Sequence, residues 1–319
     1  MKKIAVLTSG GDAPGMNPAI RAVVRSAIYQ GLQVIGIKRG YQGLLQEDFV
    51  DLDVASVGDI VTRGGTILRT ARSEEFHELK VQQHAAHLLR RHRIEGLVVI
   101  GGDGSFRGAL SLHEQGMRVI GIPGTIDNDI HGTESTIGFD TAVNTGLDGI
   151  SKLRDTATSH ERLFLVEVMG RHCGAIALAM GIAGGAEAIL IPEMEWNEEE
   201  LASSINRGKE RGKISSIIII AEGTADTKTL GERLTLKTNS DVRTVILGHL
   251  QRGGAPTAGD SVLASRMGAK AVEYLLSGLS GVMTALRDAN IVPVSLELSQ
   301  KMGNHIDENL YHLAKILAI

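Results

Sequence analysis

Short runs of apolar, often β-branched residues alternate along this chain with segments in which apolar residues recur at helical spacing. The runs lack regular apolar–polar alternation, which predicts strands buried on both faces, as in parallel sheets. This order predicts an α/β fold in which the carboxyl ends of the strands form the binding crevice. The predicted strands are residues 4–8, 34–38, 96–100, 118–122, 163–168, 188–191, 216–221 and 242–247. The predicted helices are residues 16–29, 79–93, 106–116, 142–157, 174–182, 198–211 and 258–276.

The most informative motif follows the predicted strand 96–100, where residues 101–105 read Gly-Gly-Asp-Gly-Ser. Free backbone N–H groups and a helix dipole at such a corner attract anions, and Asp103 is suited to a Mg²⁺ ion that bridges phosphate oxygens. A purely structural turn is the alternative, because Asp often caps helices. The spacing does not match G-x-G-x-x-G and no G-x-x-x-x-G-K-[ST] is present, so neither a dinucleotide fingerprint nor a P-loop is indicated.

A second acidic turn follows the next predicted strand. Residues 121–129 read Gly-Ile-Pro-Gly-Thr-Ile-Asp-Asn-Asp, with carboxylates at Asp127 and Asp129. Two acid-bearing turns at the ends of neighbouring strands indicate the two halves of a phosphoryl-transfer site.

Four arginines occupy predicted loop positions near these turns: Arg72, Arg162, Arg171 and Arg252. Arg72 follows a further glycine-containing segment, residues 64–71, that we interpret as a strand. Each arginine alone is compatible with an ordinary surface, but arginines held in turns can fork onto phosphate oxygens. Beside two acidic turns, they favour a phosphorylated substrate.

Composition narrows the class of protein. The chain has 319 residues, 43% of them hydrophobic, which is enough for one to three globular domains. A net charge of -4 argues against nucleic acid or an anionic membrane as the main partner. Cys173 is the single cysteine, so no intrachain disulfide can form, and a cytoplasmic location is expected. The apolar run after Lys2 and Lys3 is too short for a signal peptide, and no run approaches membrane-spanning length.

Several motifs, in this order and at this spacing, resemble those of bacterial ATP-dependent 6-phosphofructokinases over essentially the full length. The motifs are residues 8–12, 101–105, 123–129, 137–142, 168–171 and 248–254. The resemblance implies two similar α/β lobes with mostly parallel sheets and the active site in the cleft between them. It assigns residues 1–138 plus 252–300 to an ATP-binding lobe and residues 139–251 plus 301–319 to a sugar-phosphate-binding lobe.

The resemblance also implies a role for each matching position in transferring the γ-phosphoryl group of ATP to the 1-hydroxyl of fructose 6-phosphate. Asp127 would be the base, Thr125 and Arg171 would stabilise the transferring group, and Asp129 would support the metal or the base. The residues that would hold ATP, with Mg²⁺ on Asp103, are Gly11, Arg72, Ser73, Gly102, Asp103, Gly104 and Ser105. Those that would hold the sugar phosphate are Thr125, Asp127, Arg162, Met169, Gly170, Arg171, Glu222, Arg243, His249 and Arg252.

In this family Arg162 and Arg243 reach in from a neighbouring subunit, which implies a homotetramer with shared sites. A second site in the family binds ADP or phosphoenolpyruvate. The matching positions are Arg21, Arg25, Val54, Asp59, Arg154, Gly185, Glu187, Arg211, Lys213 and Ser215. Val54 stands where the family usually has Arg, and Ser215 stands where His is common. Loss of a guanidinium removes a bidentate phosphate contact, so we expect weak allosteric control.

Three alternatives stay open at this point. A pyrophosphate-dependent relative is the nearest, but its Asp and Lys would stand where this chain has Gly104 and Gly124. NAD or lipid kinases share a similar Gly-Gly-Asp-Gly corner but leave the turns at residues 125–129 and 248–254 unexplained. A non-catalytic sugar-phosphate sensor on the same fold would have lost an acid or arginine, and none is lost here.

Overall fold

A computed structural model describes residues 1–301 and 306–318. The strands are β1 (Lys3–Thr8), β2 (Gln33–Ile37), β3 (Phe49–Leu52), β4 (Gly96–Gly101), β5 (Val119–Pro123), β6 (Leu163–Val168), β7 (Ala188–Leu190), β8 (Ser216–Ala221), β9 (Val242–Ile246), β10 (Val282–Arg287) and β11 (Asn290–Ser295). The helices are α1 (Met16–Tyr29), α2 (Gly40–Leu45), α3 (Leu79–Arg91), α4 (Asp103–Glu114), α5 (Phe139–His160), α6 (Ala175–Ala183), α7 (Glu198–Glu210), α8 (Thr227–Thr238), α9 (Ala258–Leu276) and α10 (Glu308–Leu317). Short 3₁₀ helices cover Glu74–His77, Gly248–Arg252 and Leu298–Gln300.

The chain divides into two compact units. The first comprises Met1–Ile126, Ile130–Thr141 and the described part of residues 252–303. The second comprises Asp127–Asp129, Ala142–Gln251 and the described part of residues 304–319. Residues 127–129 therefore pack with the second unit. The expected division into an ATP-binding lobe and a sugar-phosphate-binding lobe stays a prediction.

In the described part of the first unit, seven strands form one sheet in the order β11-β10-β5-β4-β1-β2-β3. The pairs β1–β2, β1–β4, β4–β5 and β5–β10 are parallel, while β3 and β11 are antiparallel edge strands. Every residue of β4 and β5 is buried, which confirms that their continuous apolar runs lie in the middle of a parallel sheet. The carboxyl ends of β1, β4 and β5 consequently meet at one edge.

The described part of the second unit contains a four-stranded, all-parallel sheet in the order β7-β8-β6-β9. β6 and β8 are buried as expected. The expectation of burial on both faces is wrong for β9, whose residues are half-buried or exposed. The reason is its position, because β9 is an edge strand that pairs only with β6. Together the two sheets confirm the predicted α/β fold with mostly parallel strands.

The pattern of apolar residues did not predict every element. β3, β10, β11, α2, α8 and α10 were not anticipated, and β10 with β11 forms an antiparallel hairpin added to the parallel sheet. The strand proposed before Arg72 is wrong, because residues 61–73 form only turns and irregular backbone. Asn17 holds this segment in place: its side chain bonds the backbone of Arg63, Gly64 and Ile67 at 2.8–3.1 Å.

No helix within residues 1–301 and 306–318 combines the length and apolar character needed to cross a membrane.

Candidate active site

The corner between β4 and α4 brings a carboxylate to the carboxyl edge of the first unit's sheet. Gly102 is extended and precedes the helix, so Asp103 occupies the first helical position. A negative charge is favoured there by the helix dipole. Asp103 Oδ2 also lies 3.1 Å from Arg107 Nη2, one turn further along α4, and the carboxylate is about one-third exposed. The acid is therefore fixed in place but open to solvent.

The loop that follows β1 lies directly beside this corner. Thr8 and Ile100 are paired in the parallel register, and the N–H of Ser9 donates to the Ile100 carbonyl at 3.0 Å. A Cβ on Gly10 would lie 3.1 Å from Ser105 Oγ, and one on Gly101 would lie only 2.4 Å from it. The close approach of the two loops thus depends on glycine at both positions.

These loops enclose the side-chain hydroxyl of Ser105. Ser105 Oγ is buried and has no hydrogen-bond partner among the described residues, and the same holds for Ser73 Oγ. A buried hydroxyl without a partner costs free energy unless something else bonds it. Both hydroxyls belong to the residues expected to hold ATP, and they suit phosphate oxygens.

Arg252 lies across the glycine loop of the first unit. Its Nη1 donates to the Asp12 carbonyl at 3.2 Å, and a Cβ on Gly11 would lie 2.6 Å from the same atom. The sequence placed Gly11 with ATP and Arg252 with the sugar phosphate. In the structure, the guanidinium of Arg252 packs directly against the backbone at Gly11.

Thr125 joins the same corner from β5. Gly101 and Pro123 are paired in register, and the N–H of Gly124 donates to the Gly101 carbonyl at 3.0 Å. A Cβ on Gly102 would lie 3.6 Å from Thr125 Cβ, so this buried threonine adjoins the glycine corner. The three adjacent strand ends therefore place residues 9–12, 102–105 and 124–125 side by side.

The donor set around Asp103 fits a magnesium ion that arrives with a nucleotide. Among the described residues, no three His, Cys, Asp or Glu side chains cluster so that they could hold a metal ion. Mg²⁺ does not need such a cage, since it commonly binds one or two carboxylates, phosphate oxygens and water. The partly exposed carboxylate of Asp103, two residues before the buried hydroxyl of Ser105, fits this mode of binding.

In the second unit, the ends of β6 and β8 bring a glutamate to a backbone turn. Val168 and Ala221 are paired in parallel register, so Met169 and Glu222 are the next residues on neighbouring strands. Glu222 Oε1 accepts hydrogen bonds from the N–H groups of Gly170 (3.2 Å) and Arg171 (2.6 Å). The expected sugar contacts Met169, Gly170 and Glu222 therefore form one structural group.

Arg171 and the acidic turn also meet within the second unit. Arg171 Nη1 lies 3.7 Å from Asp129 Oδ2, and half of the arginine side chain is exposed. Asp127 is only 3% exposed, whereas the Asp129 side chain is 21% exposed. The chain passes from one carboxylate to the other through Asn128, whose φ of 52° is left-handed. A buried acid and a more open acid thus flank one residue in the left-handed conformation.

Cys173 lies next to this turn but is not equipped as a nucleophile. Its side chain is buried, and burial raises the pKa of the thiol to about 12. The reactive form of cysteine is the thiolate. The single cysteine of the chain is therefore a packing residue at this site.

Two of the expected sugar-phosphate residues lie at the amino ends of the strands in the second unit, whereas the Met169–Arg171 turn lies at the carboxyl ends. Arg162 immediately precedes β6 and Arg243 is the second residue of β9, and both pair with Asp241. Arg162 and Met169 stand at the two ends of β6, which separates them by roughly 20 Å at about 3.3 Å per residue. One chain by itself does not bring Arg162 and Arg243 to the Met169–Arg171 turn.

Several residues expected to bind an effector lie close to one another within the second unit. Lys213 Nζ lies 2.7 Å from Glu187 Oε1, with Arg154 Nη1 4.0 Å from the same oxygen. Arg154 Nη2 also donates to the carbonyls of Gly184 (2.6 Å) and Gly185 (2.9 Å). Ser215 Oγ is 3.5 Å from Thr158 Oγ1, and Arg211 is exposed at the end of α7.

The remaining effector positions belong to the first unit. Arg21 and Arg25 lie on the outer face of α1, where Arg21 is half-buried and Arg25 exposed. Val54 is 49% exposed and Asp59 is exposed with a left-handed φ of 53°. Val54 is exposed, and packing does not explain why valine stands where the family carries arginine.

Sequence reasoning missed two residues that organise the second unit's site. Asp241 holds both Arg162 and Arg243, and Gln251 accepts a hydrogen bond from the backbone of Met169 at 2.8 Å. Gln251 was visible as part of the 248–254 motif, although no role was attached to it. Nothing in the local sequence distinguishes Asp241 from an ordinary surface acid.

Comparison with known proteins agrees with the motifs. The family model described as phosphofructokinase matches residues 3–275. The ATP-dependent 6-phosphofructokinase of Shouchella clausii is 54% identical to this chain over 319 residues. ATP-dependent 6-phosphofructokinase 1 of Clostridium perfringens is 53% identical over 317 residues. At least 99% of each chain is covered in both comparisons. A solved phosphofructokinase structure from Saccharomyces cerevisiae matches all of this chain and 48% of its own, with a TM-score of 0.90 and 35% identity. The resemblance inferred from the motifs is confirmed along the whole chain, which belongs to the phosphofructokinase family.

Proposed function

We propose that this chain is a glycolytic kinase that transfers the γ-phosphoryl group of ATP to the 1-hydroxyl of fructose 6-phosphate. The products are fructose 1,6-bisphosphate and ADP. The observation that carries the proposal is identity of 53–55% over whole chains to relatives named ATP-dependent 6-phosphofructokinases. The open carboxylate of Asp103 beside the unbonded hydroxyl of Ser105 supports it, because both lie where a nucleotide's phosphates are expected.

In the first unit the glycine loops and hydroxyls would receive the nucleotide. Backbone N–H groups at the start of α4 are oriented to bond phosphate oxygens. Arg72 and Ser73 would add contacts to the nucleotide. Asp103 would hold the magnesium of MgATP, and this ion offsets the charge on the phosphates when it is bound. Thr125, adjoining Gly102, would donate its hydroxyl to the transferring group.

In the second unit the acids and Arg171 would act on the sugar. Asp127 would accept the proton of the 1-hydroxyl as that oxygen attacks the γ-phosphorus. A hydroxyl is a weak acid, so this transfer occurs late, and it would contribute on the scale of general base catalysis, roughly 10²–10⁴-fold. Arg171 would neutralise charge on the transferring group. Asp129 lies 3.7 Å from Arg171 and would keep that guanidinium oriented.

Sugar recognition would divide between one chain and its neighbour. Met169, Gly170 and Glu222 would contact the sugar, and His249 and Arg252 would hold its 6-phosphate. Arg162 and Arg243 are held by Asp241 at the far edge of the sheet. We infer that they serve the 6-phosphate site of another copy, and we propose, as the family resemblance implies, that the active form is a homotetramer with shared sites.

ATP rather than pyrophosphate is the proposed donor. A Cβ on Gly104 would meet only Arg107 Nη2, at 3.6 Å, so the space there is open for the nucleotide. At Gly124 the Cβ position is not open, since it would lie 3.0 Å from Ile100 Cγ2. The proposal of ATP as donor therefore rests on the space at Gly104 and not on Gly124. The retained acids and arginines disfavour a non-catalytic sensor.

Control by ADP or phosphoenolpyruvate is proposed to be weak. Val54 supplies neither a charge nor a donor where the family has arginine. A charge-assisted hydrogen bond is worth about 1.5–3 kcal/mol, which is as large as a typical allosteric coupling of about 1–3 kcal/mol. We therefore expect near-hyperbolic saturation by fructose 6-phosphate. We place the enzyme in the cytoplasm, where a glycolytic kinase meets its substrates and where its one buried thiol stays reduced.

Steady-state kinetics test the proposal directly. Fructose 6-phosphate is varied with MgATP or with magnesium pyrophosphate, and the product is identified by mass spectrometry. The expected result is fructose 1,6-bisphosphate with ATP and little turnover with pyrophosphate. Comparable turnover with pyrophosphate would contradict the donor assignment, and product on another acceptor would contradict the substrate.

A further inference from the structure

We propose that Gln251 is a positioning residue that fixes the backbone of the Met169–Arg171 turn and thereby aims Arg171. The inference rests on the proposed function of that turn. Gln251 Oε1 accepts a hydrogen bond from the Met169 N–H at 2.8 Å, and the glutamine is completely buried. None of the expected catalytic, nucleotide, sugar or effector roles included this residue.

The bond from Gln251 completes an unusual arrangement of the turn. The next two N–H groups, of Gly170 and Arg171, both donate to Glu222 Oε1. Three consecutive backbone N–H groups are thus bonded by two side chains rather than by a neighbouring strand. The two side chains therefore restrain the backbone of the turn at three successive residues.

The turn needs such restraint because its backbone is strained. Gly170 has a φ of 153°, and a Cβ there would lie 2.2 Å from the Cys173 carbonyl oxygen. Arg171 has a left-handed φ of 55°, which is uncommon for a residue with a side chain. Strained conformations of this kind cost about 1–3 kcal/mol and persist only where the surroundings enforce them. Loss of one of the two clamping side chains should let Arg171 relax.

Gln251 is itself held in one orientation. Its amide nitrogen lies 3.4 Å from the Ala142 carbonyl oxygen and 3.5 Å from Met180 Sδ. These contacts are long, so the bond to Met169 is the strong one. They nevertheless show which end of the amide is the acceptor, because the carbonyl and sulfur can accept but not donate.

The place of Gln251 in the chain adds a second consequence. It lies in the 3₁₀ helix Gly248–Arg252, between His249 and Arg252, which are proposed to hold the 6-phosphate. The same short helix that would hold the phosphate therefore also bonds the turn that would contact the sugar. Gln251 would therefore restrain the turn from the segment that carries His249.

Two variants separate positioning from simple packing. Gln251→Leu fills the same space without an acceptor, and Gln251→Glu keeps an acceptor oxygen at the same distance along the side chain. Small displacements of catalytic groups can cost about 10²-fold in rate. We expect Gln251→Leu to lower kcat at least about tenfold and to raise KM for fructose 6-phosphate, with KM for ATP unchanged. Gln251→Glu buries a charge unless its carboxyl is protonated, so it should recover kcat relative to Gln251→Leu only towards acid pH, where the neutral carboxyl can accept from the Met169 N–H and donate to the Ala142 carbonyl.

Thr238→Val is the matched control. Thr238 is a buried residue of the same unit whose hydroxyl donates to the Leu234 carbonyl and to Ser240 Oγ. Its loss should reduce thermal stability without changing kcat per folded enzyme or either KM. If Gln251→Leu does not fold, Gln251→Met replaces it as the acceptor-poor variant.

Two results would overturn the inference. One is a folded Gln251→Leu or Gln251→Met enzyme with wild-type kcat and wild-type KM for fructose 6-phosphate. The other is a Gln251→Glu enzyme that, towards acid pH where its carboxyl is neutral, is as stable as the apolar variant and no more active than it at the same pH. Failure of the proposed function is recognised separately, because the wild-type enzyme would then not convert ATP and fructose 6-phosphate at all.

Discussion

The guanidinium of Arg162 donates through Nε to Asp241 Oδ2 at 2.8 Å, at the amino edge of the second unit's sheet. Arg243 Nε lies 3.0 Å from the other oxygen of the same carboxylate. Arg162, followed by Arg243, holds the pKa of Asp241 below its usual range. One carboxylate thus holds two arginines at the amino ends of the strands, and the Met169–Arg171 turn lies at the other end of β6.

This relationship leads to a test of shared active sites. Arg243→Gln and Asp127→Asn should each inactivate the enzyme when made separately. In hybrid oligomers, the Arg243→Gln chain keeps Asp127, and the neighbouring Asp127→Asn chain supplies intact Arg162 and Arg243. One complete site can therefore form, and activity should return. Subunits are mixed after dissociation, and activity is measured on hybrids separated by a charge tag.

The control mixes Arg243→Gln with Arg162→Gln. Neither variant then offers both arginines from one chain, so these hybrids should stay inactive. Hybrids of Arg243→Gln with Asp127→Asn that form but show no activity would contradict the proposal that sites are shared.

Asp127→Asn should lower kcat by at least about 10²-fold, because the amide cannot accept the proton of the attacking hydroxyl. The substitution keeps the size of a side chain that is only 3% exposed, so the fold should persist. Binding of fructose 6-phosphate, measured by calorimetry, should be nearly unchanged. Asp226→Asn, at the exposed N-cap of α8, is the control and should keep full kcat. A near-normal kcat for Asp127→Asn would exclude this residue as the base.

Gly104→Asp should weaken the use of ATP. The new Cβ meets only Arg107 Nη2 at 3.6 Å, so the protein can accommodate it. A second carboxylate beside Asp103 would repel the phosphates, and we expect kcat/KM for ATP to fall about tenfold or more. KM for fructose 6-phosphate serves as the internal reference, and Gly104→Ala tests size without charge. Equal losses in both variants would mean that bulk rather than charge is responsible.

Val54→Arg should strengthen the response to effectors. Val54 is 49% exposed, so an arginine can be placed there without disturbing the core. One regained charge-assisted contact of about 1.5–3 kcal/mol should lower the concentration of ADP or phosphoenolpyruvate needed for half-maximal effect about tenfold or more. The measurement is initial rate against effector concentration, with Val54→Gln as the uncharged control. Strong sub-millimolar inhibition of the wild type by phosphoenolpyruvate would contradict the expectation of weak control.

Glu47 provides a stability test that depends on pH. Its carboxylate pairs with Arg91 and lies 2.5 Å from His92 Nε2, and hydrogen bonds from Arg91, then His92, lower its pKa to about 2. A lowered pKa in the folded state gives stability that is complete above the unfolded value near 4.5 and is lost as pH falls towards 2.

The thermal unfolding of Glu47→Gln and the wild type is therefore compared at low salt between pH 2 and pH 7. The variant should be less stable above about pH 5, and the difference should shrink as pH falls towards 2, where Glu47 becomes half protonated in the folded state. The difference should also decrease with added salt, because the pair is near the surface. If the two proteins differed in thermal stability by the same amount at every pH, the charge of Glu47 would not be the source of its contribution to folding stability.

Much of this protein follows from its sequence by local physics. The apolar runs at β1, β4, β5, β6 and β8 are short, β-branched and continuous, and such runs are stable only where both faces are covered. The glycine corner at residues 101–105 likewise needs no distant partner to be identified, since a strand, a tight turn and a helix start are consecutive in the chain. Asp103 could be identified as a candidate metal ligand because it lies within that same continuous segment.

Only the tertiary structure decided which motifs share an edge of a sheet. Met169 and Glu222 are 53 positions apart and meet because Val168 and Ala221 pair in register, whereas Arg162 is much closer in sequence to Met169 and lies at the other end of β6. The exposure of β9 and the hold of Gln251 on Met169 depend in the same way on strand order. Strand order and register arise from the packing of the whole core, and local sequence does not encode them.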